Sequence, residues 1–555
     1  MSDFTYHPMH MHLHAACDHG ASMALHMHSA HQLGMRYIWF TDHDTRMGPR
    51  KRWVTGFSFD DPELQKEAGP AAAHGFYPEG ERLRYDLNPK EKLLKLTLEA
   101  GEEGTWEEGS LRFFSIGSMH TRALAADVTL EIDLPAFTPS PDQRLIFDVQ
   151  LSQRPPDCQK AHLLYVLGST QGLEAPHTQV IPLAEAGHIC LPISRDASAA
   201  IGGRDNAFDT LIIRLQAKNH AQAEACLREF RIRECHHFEA LHQALKQVAS
   251  AAAAPYEITP FVSFELSGVW DHMNCFGTHV PVLDYAQRNF SIPVEEATAH
   301  IRDHGGIYAF NHPLAIGSLK RKIFTPVERM QVMAKMQAAL TACNAYGAKL
   351  LEVGFPEGRN GFILEEFLFL WDMLAMSGIF LTGYGSSDSH RDNVGWFSGN
   401  NFATWIGVPE TLPHPVPEKA FQEALAAGRV YTGDPVILRG KVDFRTAAGH
   451  PMGSMFPVEK TPELDLVFTA EQTRPGWIFR LVENGLVTHT QEIEGESFRF
   501  DSRLIPGRTA VNFQRAELWD ENGRCVLITN PIYLINTKLL NRALPAERLQ
   551  QEVTI

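Results

Sequence analysis

Predicted helices and apolar strands alternate at the start of the chain and again in its second half. Residues 22–34, "SMALHMHSAHQLG", are predicted as a helix with Ser22 as N-cap and Gly34 as its end, and the apolar run "MRYIWF" follows. After about residue 236 the predicted helices and strands are, in order, "HFEALHQALKQVASAAAA", "ITPFVSFELSG", "VEEATAHIRDHGG", "IYAFNHP", "ERMQVMAKMQAALTACNAYG", "KLLEVGF", "FILEEFLFLWDMLAMSG" and "IFLTGYGSSDSH". Such alternation is typical of a parallel sheet or barrel.

Two other stretches contain short strands without helices. The first stretch has short alternating or apolar runs separated by Pro, Gly and Asp: "LRFFSIGSM", "DVTLEIDL", "RLIFDVQLS", "HLLYVLGS" and "DTLIIRLQA". This spacing favours an antiparallel sandwich of jelly-roll character. The second runs from "LDLVFTAE" to "VLITNPIYLI" and predicts a smaller β domain. We therefore expect an α/β barrel in two parts, 1–49 and 236–440, an inserted β-sandwich at 50–235 and a C-terminal β domain at 441–555.

Composition limits the class of protein. At 555 residues the chain is too long for one ordinary core, and a hydrophobic fraction of 44% is typical of a globular protein. The net charge of −16 argues against nucleic acid as the main partner. We find neither a signal peptide nor an apolar stretch long enough to span a membrane. The eight cysteines form no C-x-x-C pair, so reduced thiols in the cytoplasm are expected.

The segment "HMHLHAACDHG" is unusually rich in histidine. A purification tag would be contiguous, whereas other residues separate these histidines, and 27 histidines in 555 residues average only about one in twenty. His12 and His14 are two residues apart, so on an extended strand both side chains leave the same face. Two neutral imidazoles on one face are typical of the start of a metal site.

Further residues of metal-ligand type follow other predicted strands. Each alone has an ordinary interpretation, because a histidine before proline is often a turn residue and Asp-x-His is a common sequence. Their order along the chain is more informative, since active sites of (β/α) barrels lie where the carboxyl ends of the strands meet. The candidates beyond the first pair are His19, His43, Glu265, His272, His312, Asp388 and His390.

This order resembles the PHP family, named for polymerase and histidinol phosphatase, whose pattern is HxHTxxSDG, then TDH, Glu, a later His, HP and DxH. The first element here is "HLHAACDHG", with Ala15 for Thr, Asp18 for Ser and His19 in the Asp position. This register, which starts at His12, places Gly20 on the motif glycine. "WFTDHDTRMG" and "YGSSDSHRDN" are similar to the subgroup with carbamate-insecticide hydrolases. The resemblance covers roughly 1–49 and 255–435.

The resemblance implies a distorted (β/α)7 barrel that holds two or three divalent ions, Zn, Mn or Fe. It implies one ion at His12, His14 and Asp388, Glu265 bridging to a second ion with His272 and His312, and a third ion at His19, His43 and His390. Clustered divalent ions lower the pKa of bound water and polarise a phosphoryl or carbonyl oxygen.

Arginines follow two of these motifs. Arg46 and Arg391 are candidates to bind an anionic substrate, although a surface arginine is the alternative, and Asp42 and Asp44 are candidates to orient His43. We therefore expect a metal-dependent hydrolase of a small phosphoester. A carbamate or amide hydrolase and a non-catalytic carbohydrate-binding or interaction protein are the alternatives. The substrate, the metal and the oligomeric state stay open.

Overall fold

The structure is a computed structural model. It describes residues 4–17, 21–48, 76–88, 91, 93–101, 103–113, 122–157, 159–269, 272–288, 291–314, 323–354, 361–390, 396, 402–540 and 542–550. Two predicted site residues, His19 and Arg391, lie outside these ranges.

Strands far outnumber helices in the described residues. The helices are α1 (Met23–Gln32), α2 (Ile193–Ile201), α3 (Phe238–Ala253), α4 (Val294–Asp303), α5 (Pro326–Ala342), α6 (Leu364–Met376) and α7 (Glu418–Ala426). The strands of the first half are β1 (Phe4–Leu13), β2 (Tyr37–Phe40), β3 (Phe76–Glu79), β4 (Leu83–Asn88), β5 (Leu93–Glu99), β6 (Glu107–Phe113), β7 (Arg122–Ala123), β8 (Thr129–Leu134), β9 (Ala136–Phe137), β10 (Gln143–Arg154), β11 (Gln159–Gly168), β12 (Thr178–Pro182), β13 (Gly187–Leu191), β14 (Ala207–Ala217), β15 (Gln222–Leu227) and β16 (Glu229–Arg233). Those of the second half are β17 (Thr259–Val262), β18 (Phe264–Leu266), β19 (Met273–Phe276), β20 (Ile307–Phe310), β21 (Leu350–Gly354), β22 (Thr382–Gly385), β23 (Ala403–Pro409), β24 (Val430–Gly433), β25 (Val442–Thr446), β26 (Met455–Pro457), β27 (Leu464–Glu471), β28 (Ile478–Glu483), β29 (Leu486–Glu492), β30 (Ser497–Leu504), β31 (Val511–Trp519), β32 (Cys525–Thr529) and β33 (Ile532–Ile535).

The predicted helix ends rest on local capping chemistry. The Ser22 hydroxyl accepts a hydrogen bond from the Leu25 N–H at 3.1 Å, which confirms it as the N-cap of α1. Gly34 follows α1 with φ at +75°, a conformation that glycine adopts without steric cost. Thr325 and Glu328 form a reciprocal capping box at the start of α5.

The strand that carries the first histidines lies inside the largest sheet. In this sheet β1 is parallel to β2 and antiparallel to β23, and β17 is parallel to β2. Thr259 of β17 pairs with Tyr37 of β2, so strands separated by the long β-rich stretch are neighbours. This pairing is the one expected if that stretch is an insertion, and the domain division itself stays a prediction.

The run "ITPFVSFELSG" was predicted as one strand but forms two strands, β17 and β18. At Ser263 the chain leaves β17, which stays beside β2, and enters β18, which pairs with β19. The backbone N–H of Ser263 donates to the Phe40 carbonyl and that of Glu265 to the Asp42 carbonyl, so the change of sheet leaves no buried backbone donor unpaired at either residue. The five-stranded sheet then runs β18-β19-β20-β21-β22, parallel only from β20 onward.

The β-rich stretch builds three further sheets with orders β12-β11-β10-β14-β6-β3, β13-β8-β16 and β4-β5-β15-β9, and β7 also pairs with β14. Strand β8 alternates between buried and half-buried positions, as expected when one face packs on a core. The strands β10 and β14 are buried along most of their length. Their odd-numbered side chains from Leu145 to Leu151 and from Leu211 to Ala217 belong to the main hydrophobic core.

The C-terminal strands continue the largest sheet. Strand β24 pairs with β32, and through it the sheet extends to β31, β28 and β29, while β25, β27 and β30 form a separate sheet. A buried ion-pair network joins this region to α6, because the Arg515 guanidinium donates to Asp372 at 2.7 Å and to Glu517 at 2.5 Å. No helix among the described residues combines the length and apolarity needed to cross a bilayer.

Candidate metal centre

The end of β1 brings two imidazoles close together. His12 and His14 lie on either side of Leu13 and are both completely buried, and their Nε2 atoms are 3.1 Å apart. The strand end is fixed from both sides, since the His14 N–H donates to the Ser389 carbonyl at 3.0 Å and the Thr41 N–H donates to the Leu13 carbonyl at 2.9 Å. Two nitrogen lone pairs aimed at one place favour a shared cation.

Asp388 and His390 reach the same place from the segment after β22. Oδ1 of Asp388 lies 3.4 Å from Nε2 of His12 and 3.2 Å from Nε2 of His14. The His390 ring stacks on His14 with centroids 4.0 Å apart, and its Nε2 is 3.5 Å from Nε2 of His43. The predicted Asp-x-His element is therefore brought against the predicted His-x-His element.

Glu265 lies at the centre of the cluster, on β18, the first strand of the five-stranded sheet. Its position is set by a bridge between the backbones of His43 and Glu265. Its carboxylate oxygens lie within 3.7 Å of ring nitrogens of five histidines, His12 (3.4 Å), His14 (3.6 Å), His43 (2.5 Å), His272 (3.2 Å) and His312 (3.7 Å). A completely buried carboxylate surrounded by imidazoles is compatible with metal binding.

The structure thus brings together eight of the nine predicted ligands, with His19 outside the described residues. The potential ligand atoms form three overlapping groups, within each of which all atoms lie within 4.8 Å of one another: His12, His14 and Asp388; His14, His43 and His390; His43, Glu265 and His272. The first group is the predicted first ion site. The second group contains two residues predicted for the third ion, His43 and His390. Its third member is His14, whereas the resemblance implies His19.

Electrostatics fit a cation at this place. Burial alone lowers the pKa of His12, but the Asp388 carboxylate and its neighbours raise it well above the usual range. Burial acts upward on the pKa of Glu265, yet the surrounding imidazoles, led by His272, hold it well below its usual value. Buried carboxylates need positive charge nearby, and nitrogen and oxygen donors without thiolate suit Zn, Mn or Fe. The donor set therefore fits a cluster of divalent ions.

One buried carboxylate at the centre was missed by the sequence analysis. Glu352 lies within β21, where its Oε1 accepts from Nδ1 of His12 at 3.0 Å and its Oε2 from the backbone N–H of His312 at 2.6 Å. Its Oε1 also accepts from the Ser386 hydroxyl. A charged residue inside the apolar strand "KLLEVGF" is the signal that could have found it, because such a charge is rarely buried without partners.

A second network holds Glu265. The Asn311 side-chain amide donates to Oε1 of Glu265 at 2.7 Å, and the Tyr384 hydroxyl donates to Oδ1 of Asn311 at 3.1 Å. Neither residue carries a motif of its own, so only their place beside the strand ends identifies them. These hydrogen bonds hold the Glu265 carboxylate in one orientation, as outer hydrogen-bond partners do for metal ligands.

The acids on either side of His43 hold the backbone. Asp42 accepts from the Ala15 N–H at 2.6 Å, and Asp44 accepts from the Ser267 N–H at 2.9 Å and from the Tyr285 hydroxyl at 2.6 Å. Burial raises the pKa of Asp44 to about 6, although these hydrogen bonds oppose the shift. The two carboxylates thus fix the segments that carry the ligands, in agreement with a supporting role.

The histidines of α1 differ from one another. His26 is buried, its Nε2 donates to the His14 carbonyl at 3.0 Å, and its Nδ1 accepts from the Trp396 indole at 2.9 Å. His31 is exposed. Arg46, a predicted substrate residue, lies half-buried in the 3-10 turn Asp44–Arg46 that follows His43, next to the centre in sequence.

No model of a protein family matches this chain, and no curated protein does. Among solved structures, a two-domain protein from Bacteroides vulgatus ATCC 8482, described as containing a predicted PHP-like metal-dependent phosphoesterase, is 14% identical over 52% of this chain and 79% of that one, with a TM-score of 0.24. Two other structures match a smaller part of this chain. An engineered Cel12A cellulase of Rhodothermus marinus is 9% identical over 28% of this chain and 100% of that one, with a TM-score of 0.20. A family 11 xylanase from Neocallimastix patriciarum is 10% identical over 29% of this chain and 99% of that one, with a TM-score of 0.19. TM-scores this low establish no common fold, so function has to be argued from the site.

Proposed function

We propose that this protein is a metal-dependent hydrolase with a cluster of two or three divalent ions. The observation that carries the proposal is the buried Glu265 carboxylate within 3.7 Å of ring nitrogens of five histidines. His12, His14 and Asp388 would hold one ion, and Glu265 would bridge to a second. The second ion would take His272 and His312, and the third His43 and His390, with His19 completing it.

We also propose that the sheets around this cluster form the distorted (β/α)7 barrel expected from the sequence. Strands β17 and β18 are separated by Ser263 alone, so on one side the chain passes directly from the first sheet into the second. On the other side, Leu13 at the end of β1 forms a parallel bridge with Ser389, after β22. A ring of strands closed in this way would place every proposed ligand at one end, where barrel enzymes bind substrates.

The ions, when bound, would supply a water of lowered pKa and polarise the oxygen of the bond that is cleaved. The residues of the chain do the rest. Glu352 accepts a hydrogen bond from Nδ1–H of His12, so that Nε2 presents its lone pair to the centre. Asn311 orients Glu265, and His26 fixes the backbone at His14. These buried contacts hold the donor atoms in place before any ion or substrate binds.

A small phosphoester is the substrate class we favour. A cluster of cations stabilises the charge spread over phosphoryl oxygens better than any single donor does. Arg391 directly follows the DxH element, and Arg46 lies three residues after the histidine of TDH. A guanidinium can bind two phosphate or carboxylate oxygens at once. Cleavage of a carbamate or amide on the same centre is the alternative.

The test combines metal analysis with a substrate panel. We expect at least one transition-metal ion per chain in protein purified without added metal, and release of phosphate from some member of a panel of sugar and nucleotide phosphates. His14→Ala and Asp388→Ala should each abolish turnover and lose metal, whereas His31→Ala, which removes an exposed histidine of α1, should change neither. Turnover of an aryl carbamate without any phosphate release would reject the phosphoesterase. Less than one ion per chain, or full turnover in His14→Ala, would reject the metal centre.

A further inference from the structure

The start of helix α1 is buried and has no acidic residue of its own. Residues 22–25 are all buried, and neither aspartate nor glutamate lies in the first turn. The first N–H groups of a helix have no partner within it and carry the positive end of its dipole. Away from water, they need acceptors from elsewhere in the protein. The Ser22 hydroxyl satisfies only one of them, the N–H of Leu25.

The β-rich stretch supplies acceptors for the next two. The N–H of Met23 donates to the Asp205 carbonyl at 2.9 Å, and the N–H of Ala24 donates to Oδ2 of the Asp205 carboxylate at 3.2 Å. Asp205 is itself buried, and it lies 181 positions along the chain from Ala24, just before β14. Its other oxygen, Oδ1, accepts from the guanidinium of Arg154 at the end of β10, at 3.0 Å. Asp205 thus caps α1 from a distant part of the chain, as an N-cap residue does from within.

Helix α1 in turn holds the backbone at the metal centre. His26 lies one turn after the N-cap and is completely buried. Its Nδ1 accepts from the Trp396 indole at 2.9 Å, so Nε2 carries the hydrogen that is donated to the His14 carbonyl at 3.0 Å. The N–H of His14 donates to the Ser389 carbonyl, so both backbone polar groups of this proposed ligand are held. Because a close-packed interior transmits displacements, a shift at the start of α1 would move His14 or break its hydrogen bond with His26.

We propose that Asp205 is a positioning residue of the metal centre, which acts through α1 and His26 on His14. This inference rests on the proposed function, because it concerns the placement of a proposed ligand of the first ion. It also gives the β-rich stretch a role at the centre. The carboxylate of Asp205 fixes the start of the helix, and the helix fixes the backbone that carries the ligand.

The metal affinity of the full chain, measured by competition with a chelator, tests this role. Asp205→Ala removes the acceptor of the Ala24 N–H, and we expect it to weaken metal binding about three- to tenfold with the number of ions per chain unchanged. Asp205→Asn keeps an acceptor oxygen and should stay within about twofold of the unmodified protein, since both side chains cap helices well. The control is Asp157→Ala. It removes an exposed carboxylate of the same β-rich stretch that also accepts from a backbone N–H, that of Gln159, and it should have no effect.

A double-mutant cycle separates positioning from a general loss of stability. His26→Phe removes the hydrogen bond between α1 and His14, so adding Asp205→Ala to it should weaken metal binding no further. The Tm of the metal-free protein should fall on adding Asp205→Ala in both backgrounds, because the cap is lost in both. An equal loss of metal affinity in the two backgrounds would overturn the proposed route. A lower Tm without any change in metal affinity would overturn the positioning role itself.

Hydrogen exchange of the metal-free protein keeps this inference separate from the proposed function. Asp205→Ala should speed exchange of the amide hydrogens of α1 and of the end of β1, whereas Asp157→Ala should change neither. Faster exchange in α1 alone would mean that the helix does not hold His14, and would reject the inference. If the unmodified protein binds no metal, the proposed function fails, and exchange still decides whether Asp205 is coupled to His14. Should Asp205→Ala fail to fold, Asp205→Glu, which keeps the charge but displaces the acceptor, takes its place with the same expectations.

Discussion

Replacing Glu352 by glutamine separates a residue that positions a ligand from the ligand itself. The substitution keeps the size of the side chain but removes its charge and one of its acceptor oxygens. In the structure both oxygens are used, Oε1 by Nδ1 of His12 and Oε2 by the backbone N–H of His312. Whichever way the amide is turned, its NH2 group faces one of these donors. One of the two contacts is therefore lost, and the proton on Nδ1 of His12 is no longer favoured by a charge.

The size of the effect follows from these contacts. A hydrogen bond to a charged group contributes about 1.5–3 kcal/mol, which corresponds to roughly one to two powers of ten in an equilibrium constant. Outer hydrogen-bond partners of metal ligands typically change metal affinity by about 10–100-fold. We therefore expect Glu352→Gln to weaken metal binding within that range and to keep the number of ions per chain. His12→Ala, which removes a ligand, should also lower that number.

Competition with a chelator measures the affinity, and elemental analysis measures the stoichiometry. Glu463→Gln serves as the matched control, because it removes an exposed carboxylate that pairs with Arg503 far along the chain from the centre. The control should match the unmodified protein in both measurements. If Glu352→Gln binds metal as tightly as the control, the proposed positioning role is wrong. If it loses an ion as His12→Ala does, Glu352 is itself a ligand.

Two further predictions concern stability and pH. Arg515→Met should lower the free energy of unfolding by about 3–5 kcal/mol in denaturant titrations, because Asp372 and Glu517 then stay buried without their partner. The control is Arg499→Met, which removes an arginine from an exposed ion pair and should cause no measurable change. Equal free energies of unfolding for the two variants would contradict the role of the buried network. Acidification from about pH 7.5 to about pH 5.5 should release metal in equilibrium dialysis, because protons compete for imidazole nitrogens. Full retention at the lower pH would argue against ligation by histidine.

Local chemistry explains what the sequence could predict. The cap at Ser22 and the stop at Gly34 depend on residues within one or two turns of α1, and both are found where expected. The shared face of His12 and His14 follows from the two-residue period of a strand. The candidate ligands near the ends of other strands could also be predicted locally, since each follows an apolar run that ends in polar residues.

Long-range pairing explains what the sequence could not predict. The break at Ser263 exists because β17 and β18 pair with different partners, β2 and β19, which lie far apart along the chain. The strand β19 was not predicted, since "MNCF" is short and follows residues that were interpreted as ligands. Glu352 and Asn311 acquire their roles only through contacts with residues 340 and 46 positions away. The charge of Glu352 inside an apolar run indicates that it has buried partners, but the sequence does not show which residues these are.

Two of the proposed ligands adopt a strained backbone conformation. His312 and Asp388 both adopt positive φ, +29° and +51°, which residues other than glycine rarely do. Aspartate tolerates this region better than most residues. His312 precedes Pro313, and a residue before proline prefers an extended backbone with negative φ. Such strain costs on the order of 1–3 kcal/mol and persists where surrounding contacts impose it. At His312 the contact is the hydrogen bond from its N–H to Glu352, which also holds His12. Eleven other described residues that are not glycine also have positive φ, so strain by itself does not mark a ligand. What ties His312 to the centre is that the carboxylate that accepts from its N–H also accepts from His12.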